Sequence, residues 1–204
     1  GENINENTAY TIGRTFGYTV KSKLPSDTIV TGYDGRLTSP TLHEALCEGL
    51  KDAGSTVINI GMGPTPMTYF AHYHCDADAA IMVTGSHNPS EYNGFKMVFN
   101  KHSFFAEDIQ SLQSLIRDNK LKLLEGKIIH QDITQDYISR NLLNISLKRK
   151  LKIAWDPGNG AMGKVIREIT EKLINSDNII INELVDGNFP NHHPDPTVPK
   201  NMVQ

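Results

Sequence analysis

The sequence has 204 residues, and its 20 Lys and Arg against 23 Asp and Glu leave a formal net charge of −3. With 38% hydrophobic and 21% charged residues it has the composition of a globular protein, which excludes a disordered or collagen-like chain. The near-neutral charge, with no basic run longer than 148–150, argues against a nucleic-acid partner, and no apolar stretch approaches the roughly 18 residues of a membrane helix.

The cysteine content is low. Cys47 and Cys75 are too few for a disulfide framework or a cysteine-rich zinc site, and they favour a reducing compartment, so we expect a cytoplasmic protein. The sequence starts at Gly1 without a basic segment or an apolar signal core. We therefore expect it to be part of a longer protein.

Helix and strand patterns alternate along the first 150 residues. The clearest helix has apolar residues spaced by three and four from Leu42 to Ala53, with Pro40 near its start and Gly54 after its end. The other predicted elements are a helix over 9–20, strands at 28–33 and 57–60, a helix at 67–74, strands at 79–83 and 95–99, and helices over 109–116 and 137–147. Because no crossover helix fits between the strands at 79–83 and 95–99, we predict a mixed sheet.

A second strand-helix-strand series follows the basic run 148–150, which is itself predicted to be the solvated end of a helix. Its elements are a strand at 151–155, a helix over 165–173 and a strand at 179–185. This alternation predicts layered α/β domains with mixed sheets. We predict one domain at 1–150 and a partial second domain, similar to the first, at 151–204.

The segment from Thr84 to Lys96 carries the most distinctive chemistry. It follows a predicted strand, and open α/β sheets bind ligands beyond the carboxyl ends of their strands. Gly85 is expected to adopt a backbone angle that other residues resist and so to display the Ser86 hydroxyl, although an ordinary turn is the alternative. A hydrolase elbow is excluded, because Thr84 and Asn88 stand where it needs glycines. The remaining hypothesis is a serine that carries a phosphoryl group, which needs a cation and a metal nearby.

Three other segments leave alternatives open. The glycines of 158–163 spell G-x-G-x-x-G, which is typical of a dinucleotide-binding turn, although the Asp156 carboxylate would repel a pyrophosphate. The loop 186–196, with two His, two Asp and three Pro, is interpreted as a stiff structural loop, a metal site or a substrate contact. Arg36 either forms a structural ion pair with Asp34 or clamps a phosphate.

Together these segments resemble the α-D-phosphohexomutases, in their phosphomannomutase/phosphoglucomutase branch. The serine loop of that family reads T-A-S-H-N-P and is followed by E-Y-N-G-F-K. This sequence has T-G-S-H-N-P at 84–89 and E-Y-N-G-F-K at 91–96. Further matches are Y-D-G-R at 33–36, G-P-T-P at 63–66, D-P-G-N-G at 156–160 and the loop 186–196, so the resemblance spans nearly the whole chain.

The resemblance implies a four-domain enzyme, of which this chain has the first domain, without its opening strand, and most of the second. It implies that Ser86 carries the phosphoryl group and, through it, binds Mg²⁺, whose main aspartate ligands lie in the family's third domain. His87 would lie beside the transferring group, and Lys96 would stabilise charge or move a hydroxyl proton. Arg36 and Asn88 would contact phosphate.

The implied function is the interconversion of hexose 1-phosphate and hexose 6-phosphate, of mannose or glucose, through a phosphoserine and a hexose bisphosphate. This chain alone is expected to be almost inactive, because the metal and sugar sites of the family lie in other domains. A dinucleotide-dependent oxidoreductase, through the 158–163 turn, and a non-catalytic sugar-phosphate binding module are the alternatives. The sugar preference and the oligomeric state stay open.

Overall fold

The computed structural model describes residues 4–118 and 121–203, with side chains for 4–116 and 121–203. Within these ranges, no helix is both long and apolar enough to cross a lipid bilayer. In chain order the elements are α1 (Glu6–Lys23), β1 (Thr28–Tyr33), α2 (Ser39–Asp52), β2 (Thr56–Met62), α3 (Thr65–His74), β3 (Ala79–Val83), β4 (Phe95–Phe99), β5 (His102–Phe104), α4 (Glu107–Asp118), β6 (Lys127–His130), α5 (Thr134–Leu142), β7 (Leu151–Trp155), α6 (Gly163–Lys172) and β8 (Ser176–Ile180), followed by a short 3₁₀ helix at Pro199–Asn201.

A mixed sheet with the strand order β5-β4-β3-β1-β2-β6 forms the centre of the structure. Strands β3, β1, β2 and β6 are parallel, whereas β4 is antiparallel to β3, and β5 to β4. The predicted mixed sheet is therefore confirmed, because the short connection 84–94 reverses the chain. The sequence pattern did not predict β5 or β6, since each is too short to show alternation. Strands β7 and β8 form a separate parallel pair.

Two apolar layers cover the two faces of the larger sheet. Because side chains alternate along a strand, Ile29 shares a core cluster with α1 and α2, and its neighbour Val30 shares one with α3, α5 and α6. Phe16 is fully buried in the first layer, and Ile138 and Val165 are fully buried in the second. Helix α6 thus joins the second strand-helix-strand series to the first sheet.

Two predicted element boundaries are wrong. The helix predicted over 137–147 is α5, which ends at Leu142, because Leu143 leaves the helical region with a ψ of 125° and Asn144 has a φ of 65°. The basic run 148–150 therefore does not end a helix. The strand predicted at 179–185 is β8, which starts at Ser176 because it pairs residue for residue with β7.

Helices α1 and α2 contact each other through two glycines. A Cβ on Gly13 would overlap the carbonyl oxygen of Leu46, and a Cβ on Gly49 would overlap that of Tyr10. The two backbones are thus closer than any residue with a side chain allows.

We expect Gly49→Ala to lower the free energy of unfolding by about 2–3 kcal/mol, because the two helices must move apart and loosen the layer behind them. Urea denaturation measures the change. Glu44→Ala, on the exposed face of the same helix, is the matched control and should change stability by less than about 0.5 kcal/mol. Similar effects of the two substitutions would contradict the close contact.

Candidate functional site

A cleft of about 610 Å³ opens where β1, β2, β3 and β7 end. Its wall includes residues that follow these strands, namely Asp34, Pro64, Thr84 and Asp156. Ligands of open α/β sheets bind beyond the carboxyl ends of the strands. The cleft is therefore the candidate site, and both strand-helix-strand series contribute to it.

Ser86 lies in the wall of the cleft with an exposed side chain and a left-handed backbone, with a φ of 56°. Its amide donates to Oγ1 of Thr84 at 2.9 Å. The sequence-based prediction gave the unusual backbone angle to Gly85, and this is wrong. Gly85 is needed for space, because a Cβ there would lie 2.5 Å from Cζ of Arg36 and 2.5 Å from the Tyr92 carbonyl oxygen.

Lys96 and His87 line the same cleft as Ser86. Lys96 lies in β4 opposite Met82 of β3, so the antiparallel pairing returns it to the end of the sheet that carries the serine. Asn88 is exposed on the same loop. Among the described residues that line the cleft, Asn88 does not occur. The structure thus places Ser86, His87 and Lys96 in the wall of one cleft.

Arg36 lies behind the cleft wall, with 1% of its side chain exposed. Its Nε donates to the Asp34 carboxylate at 3.2 Å. Its two Nη atoms donate to carbonyl oxygens of the serine loop at 2.6 to 3.1 Å, which are those of Ser86, Asn88, Pro89 and Tyr92. All five N–H donors of the guanidinium are thus engaged by protein atoms. This arrangement favours a structural role for Arg36 over a phosphate clamp.

The glycine turn at 158–160 is held by Asp156. The carboxylate accepts from the Gly158 amide at 2.8 Å and from Nδ2 of Asn182 at 3.0 Å, and it lies 2.8 Å from Nε2 of His192. Burial opposes the charged form of Asp156, but these hydrogen bonds outweigh it and lower its pKa. A carboxylate already occupies the turn, which argues against the dinucleotide interpretation.

His192 joins the loop 186–196 to this turn. Its Nδ1 lies 2.8 Å from the carbonyl oxygen of His193, and its Nε2 faces the Asp156 carboxylate. Acceptors at both ring nitrogens favour the imidazolium. The His193 carbonyl first, and the Asp156 carboxylate second, raise the pKa of His192 against the effect of desolvation.

We expect the wild-type protein to lose stability relative to a His192→Gln variant as the pH rises through neutrality. A histidine whose pKa is raised on folding contributes stability that is complete below its unfolded value of 6.5 and is lost as the pH passes the folded-state value. Thermal melts of both proteins between about pH 5.5 and 9 measure the difference, with His102→Gln at an exposed site as the control. A difference that stays constant across this range would contradict the imidazolium.

The structure tests the metal expectation only in part. No group of three or more His, Cys, Asp or Glu side chains is placed to bind a metal ion in residues 4–116 and 121–203. The interpretation of the loop 186–196 as a metal site is therefore not supported, and His192 binds Asp156 instead. Of the predicted metal ligands, this part of the chain offers Ser86 alone.

Two family models together match nearly the whole chain. Residues 1–122 match α/β/α domain I of phosphoglucomutase/phosphomannomutase, and residues 133–204 match α/β/α domain II. The chain belongs to the phosphoglucomutase/phosphomannomutase family. Membership confirms the resemblance to the α-D-phosphohexomutases and replaces the dinucleotide interpretation of the 158–163 turn.

Named members of the family are similar over almost the full chain. It is 41% identical to a phosphomannomutase/phosphoglucomutase of Pseudomonas putida over 203 residues. This alignment covers 99% of this chain and 43% of the relative. It is 39% identical to a phosphoglucomutase of Neisseria meningitidis serogroup A over 207 residues, and this alignment covers 99% of this chain and 44% of the relative. The chain thus spans less than half the length of these relatives.

Solved structures of the family share the fold. A phosphoglucomutase/phosphomannomutase family protein from Burkholderia thailandensis matches with a TM-score of 0.91 at 37% identity, over 99% of this chain and 45% of that one. A structure from Thermus thermophilus, with a TM-score of 0.78 at 24% identity over 96% of this chain and 46% of that one, shows the common fold alone. The predicted layered α/β fold with a mixed sheet is confirmed.

Sequence reasoning missed several residues of the cleft. Thr65 and Tyr69, from the first turns of α3, and Met202, near the chain's end, line it as well. The α3 residues could have been found, because α3 follows β2 directly and its start must face the same edge of the sheet. No signal in the sequence marks Met202.

Proposed function

We propose that this chain carries the phosphoryl-accepting half of a phosphohexomutase active site, with Ser86 as the residue that holds the phosphoryl group. The observation that carries the proposal is the exposed, left-handed Ser86 in the cleft wall, together with Lys96 and His87. Such a backbone persists only where its surroundings impose it, and it is enriched at active sites. The names of the relatives from Pseudomonas putida and Neisseria meningitidis support the reaction.

The proposed reaction interconverts hexose 1-phosphate and hexose 6-phosphate, of mannose or glucose. A free sugar hydroxyl attacks the phosphorus on Ser86, so that a sugar O–P bond forms, the Oγ–P bond breaks, and Oγ of Ser86 takes up the proton that the hydroxyl gives up. The resulting hexose bisphosphate turns round. Oγ of Ser86 then attacks the other phosphoryl group, so that the bond from phosphorus to that sugar oxygen breaks, a new Oγ–P bond forms, and the sugar oxygen takes up the proton that the serine hydroxyl gives up. The phosphoserine is thereby regenerated.

The positive charge at the site is assigned to Lys96. Phosphoryl transfer depends mainly on positioning and electrostatics, and a phosphoserine brings about −1.5 to −2 charges. In the proposed mechanism Lys96 stabilises the transferring group or moves the hydroxyl proton, and His87 lies beside that group. Asn88 stays a proposed phosphate contact. Arg36, whose donors are all engaged, is not proposed to bind phosphate directly.

Mg²⁺ is the proposed cofactor. Oxygen atoms of phosphorylated Ser86 would be its ligands from this chain, and the described residues supply no carboxylate cluster to complete the site. When bound, the ion offsets negative charge on the phosphoryl group. No step of the transfer is assigned to it.

Incubation of the protein that carries this sequence, with its other domains, with glucose 1,6-bisphosphate and Mg²⁺, followed by intact-mass measurement and peptide mapping, tests the proposal. We expect one phosphoryl group, at Ser86. Coupled assays with glucose 1-phosphate and mannose 1-phosphate complete the test, and this chain alone is expected to be almost inactive. A phosphoryl group at another residue, or turnover that leaves Ser86 unmodified, would count against the proposal.

We also propose a division into a domain at 1–150 and a partial domain at 151–204, in a cytoplasmic protein. The larger sheet is complete at β6 and the second sheet begins at Leu151, which supports a boundary between the two sheets, although the match to domain II already begins at residue 133. Two free cysteines support the compartment. Limited proteolysis tests the division, with a first cut expected in the turn between Leu143 and Lys150.

A further inference from the structure

We propose that Arg36 is the positioning residue of the serine loop, which we define as residues 84–94. Its guanidinium holds carbonyl oxygens of the loop on the inner side, so that the Ser86 side chain is presented to the cleft. The consequence for phosphoryl transfer rests on the function proposed above, but the hold on the loop does not. Arg36 itself does not line the cleft.

The loop has few other internal restraints. Its ends are joined by the Thr84 amide, which donates to the Gly94 carbonyl oxygen at 2.9 Å, and Oγ1 of Thr84 accepts from the Ser86 amide. Two turns close within it, from the Asn88 amide to the Gly85 carbonyl oxygen at 3.1 Å and from the Tyr92 amide to the Pro89 carbonyl oxygen at 3.0 Å. None of these bonds fixes the carbonyl of Ser86, which accepts from Nη2 of Arg36 at 3.0 Å. A left-handed residue needs this kind of external restraint to hold its conformation.

Asp34, which directly follows β1, also helps to hold the loop. Its carboxylate accepts from Nε of Arg36 at 3.2 Å and from the Gly85 amide at 3.3 Å. The pair therefore binds the loop at an amide as well as at its carbonyl oxygens. Only a planar fork with five donors can reach these acceptors together, because lysine offers three donors from a single point.

A segment of the loop that follows β8 covers the guanidinium. The Phe189 ring centroid lies 5.1 Å from Cζ of Arg36, and a Cβ on Gly187 would lie 2.9 Å from Cα of Arg36. This cover leaves Arg36 almost no solvent exposure, so water cannot replace the carbonyl oxygens as acceptors. The order of the serine loop is thereby linked to the packing of 187–189.

Hydrogen exchange of the folded chain, followed by peptide, tests the hold on the loop. We expect amides of 84–94 to exchange at least about tenfold faster in Arg36→Lys and severalfold faster in Phe189→Leu, with core peptides of α2 and β3 unchanged. Arg167→Lys is the matched control, because Arg167 forms an exposed ion pair with Glu183 and makes no contact with the loop.

Unchanged loop exchange in a folded Arg36→Lys variant overturns the proposal, since charge without the fork would then suffice. If that variant does not fold, Phe189→Leu decides, because it keeps all five donors and removes only the cover. Loop exchange equal to that of the wild type then overturns the proposal.

Positioning also predicts the kinetics of Ser86 phosphorylation by glucose 1,6-bisphosphate in the protein that carries this sequence together with its other domains. We expect the maximal rate in Arg36→Lys to fall by about tenfold or more, with the half-saturating concentration unchanged, because Arg36 is outside the cleft. Faster loop exchange with an unchanged rate would make Arg36 a stability residue and overturn positioning. If the wild-type protein that carries this sequence, with its other domains, is not phosphorylated, the result counts against the proposed function, whereas loop exchange, which needs no sugar, still decides on Arg36.

Discussion

Ser86→Ala is expected to abolish phosphoryl transfer, lowering the turnover of the protein that carries this sequence by at least about 10³-fold. Alanine has no oxygen to bond to phosphorus, so the loss should persist at saturating sugar and appear in kcat. A coupled assay with glucose 1-phosphate and a trace of glucose 1,6-bisphosphate measures turnover. Intact mass should show no phosphoryl group on the variant.

Two further variants make this result specific. Ser90→Ala removes an exposed hydroxyl of the same loop, whose Oγ lies 3.4 Å from the Glu91 carboxylate, and should change turnover less than about twofold. Ser86→Gly should be inactive yet more stable by about 0.5–1 kcal/mol, because glycine adopts a positive φ without strain. Retained turnover in either Ser86 variant would contradict the phosphoserine mechanism.

Lys96→Met is expected to lower kcat/KM by about 10²–10³-fold. The substitution removes the ammonium that faces the cleft but keeps an unbranched side chain of similar length in β4, so the sheet should stay intact. Single-turnover phosphorylation of Ser86 and steady-state turnover measure the effect.

Lys127→Met, at an exposed position of β6, is the matched control and should leave both rates unchanged. Lys96→Arg separates the two proposed roles, because arginine keeps the charge but does not give up a proton at accessible pH. Substantial activity in Lys96→Arg indicates charge stabilisation, and its loss indicates proton transfer. Equal rates for Lys96→Met and Lys127→Met would remove Lys96 from the mechanism.

Elements with long periodic patterns were predictable from the sequence. Helix α2 has apolar residues at helical spacing and a proline and a glycine at its ends, and the short step from β3 to β4 requires an antiparallel pair. Strands β5 and β6 were missed, because three and four residues show no periodicity and their pairing depends on distant partners. The ends of α5 and β8 were misplaced for a related reason, since a local turn and pairing with β7 fix them.

The candidate site was predictable where its functional side chains are close together in the sequence, as in the segment around Ser86. Pairs of residues distant in the chain were less accessible, such as Asp156 and His192. The environment of Arg36 was hidden for another reason. Most of its partners are main-chain carbonyl oxygens, and because every residue has one, the residue types in the sequence do not show which of them Arg36 contacts.

The pairing of β3 with β4 means that an insertion in this part of the chain affects Ser86, in the loop, and Lys96, in β4, differently. Met97 packs on the α1 and α2 side of the sheet and Val98 on the other, so Lys96 shares the side of Val98. An insertion that slips β4 by one position would turn the ammonium group to the wrong side of the sheet. Extra residues near Ser90 would leave the lysine in its present orientation, but they would separate the Pro89 and Tyr92 carbonyl oxygens that Arg36 holds, so their cost falls on Ser86 instead.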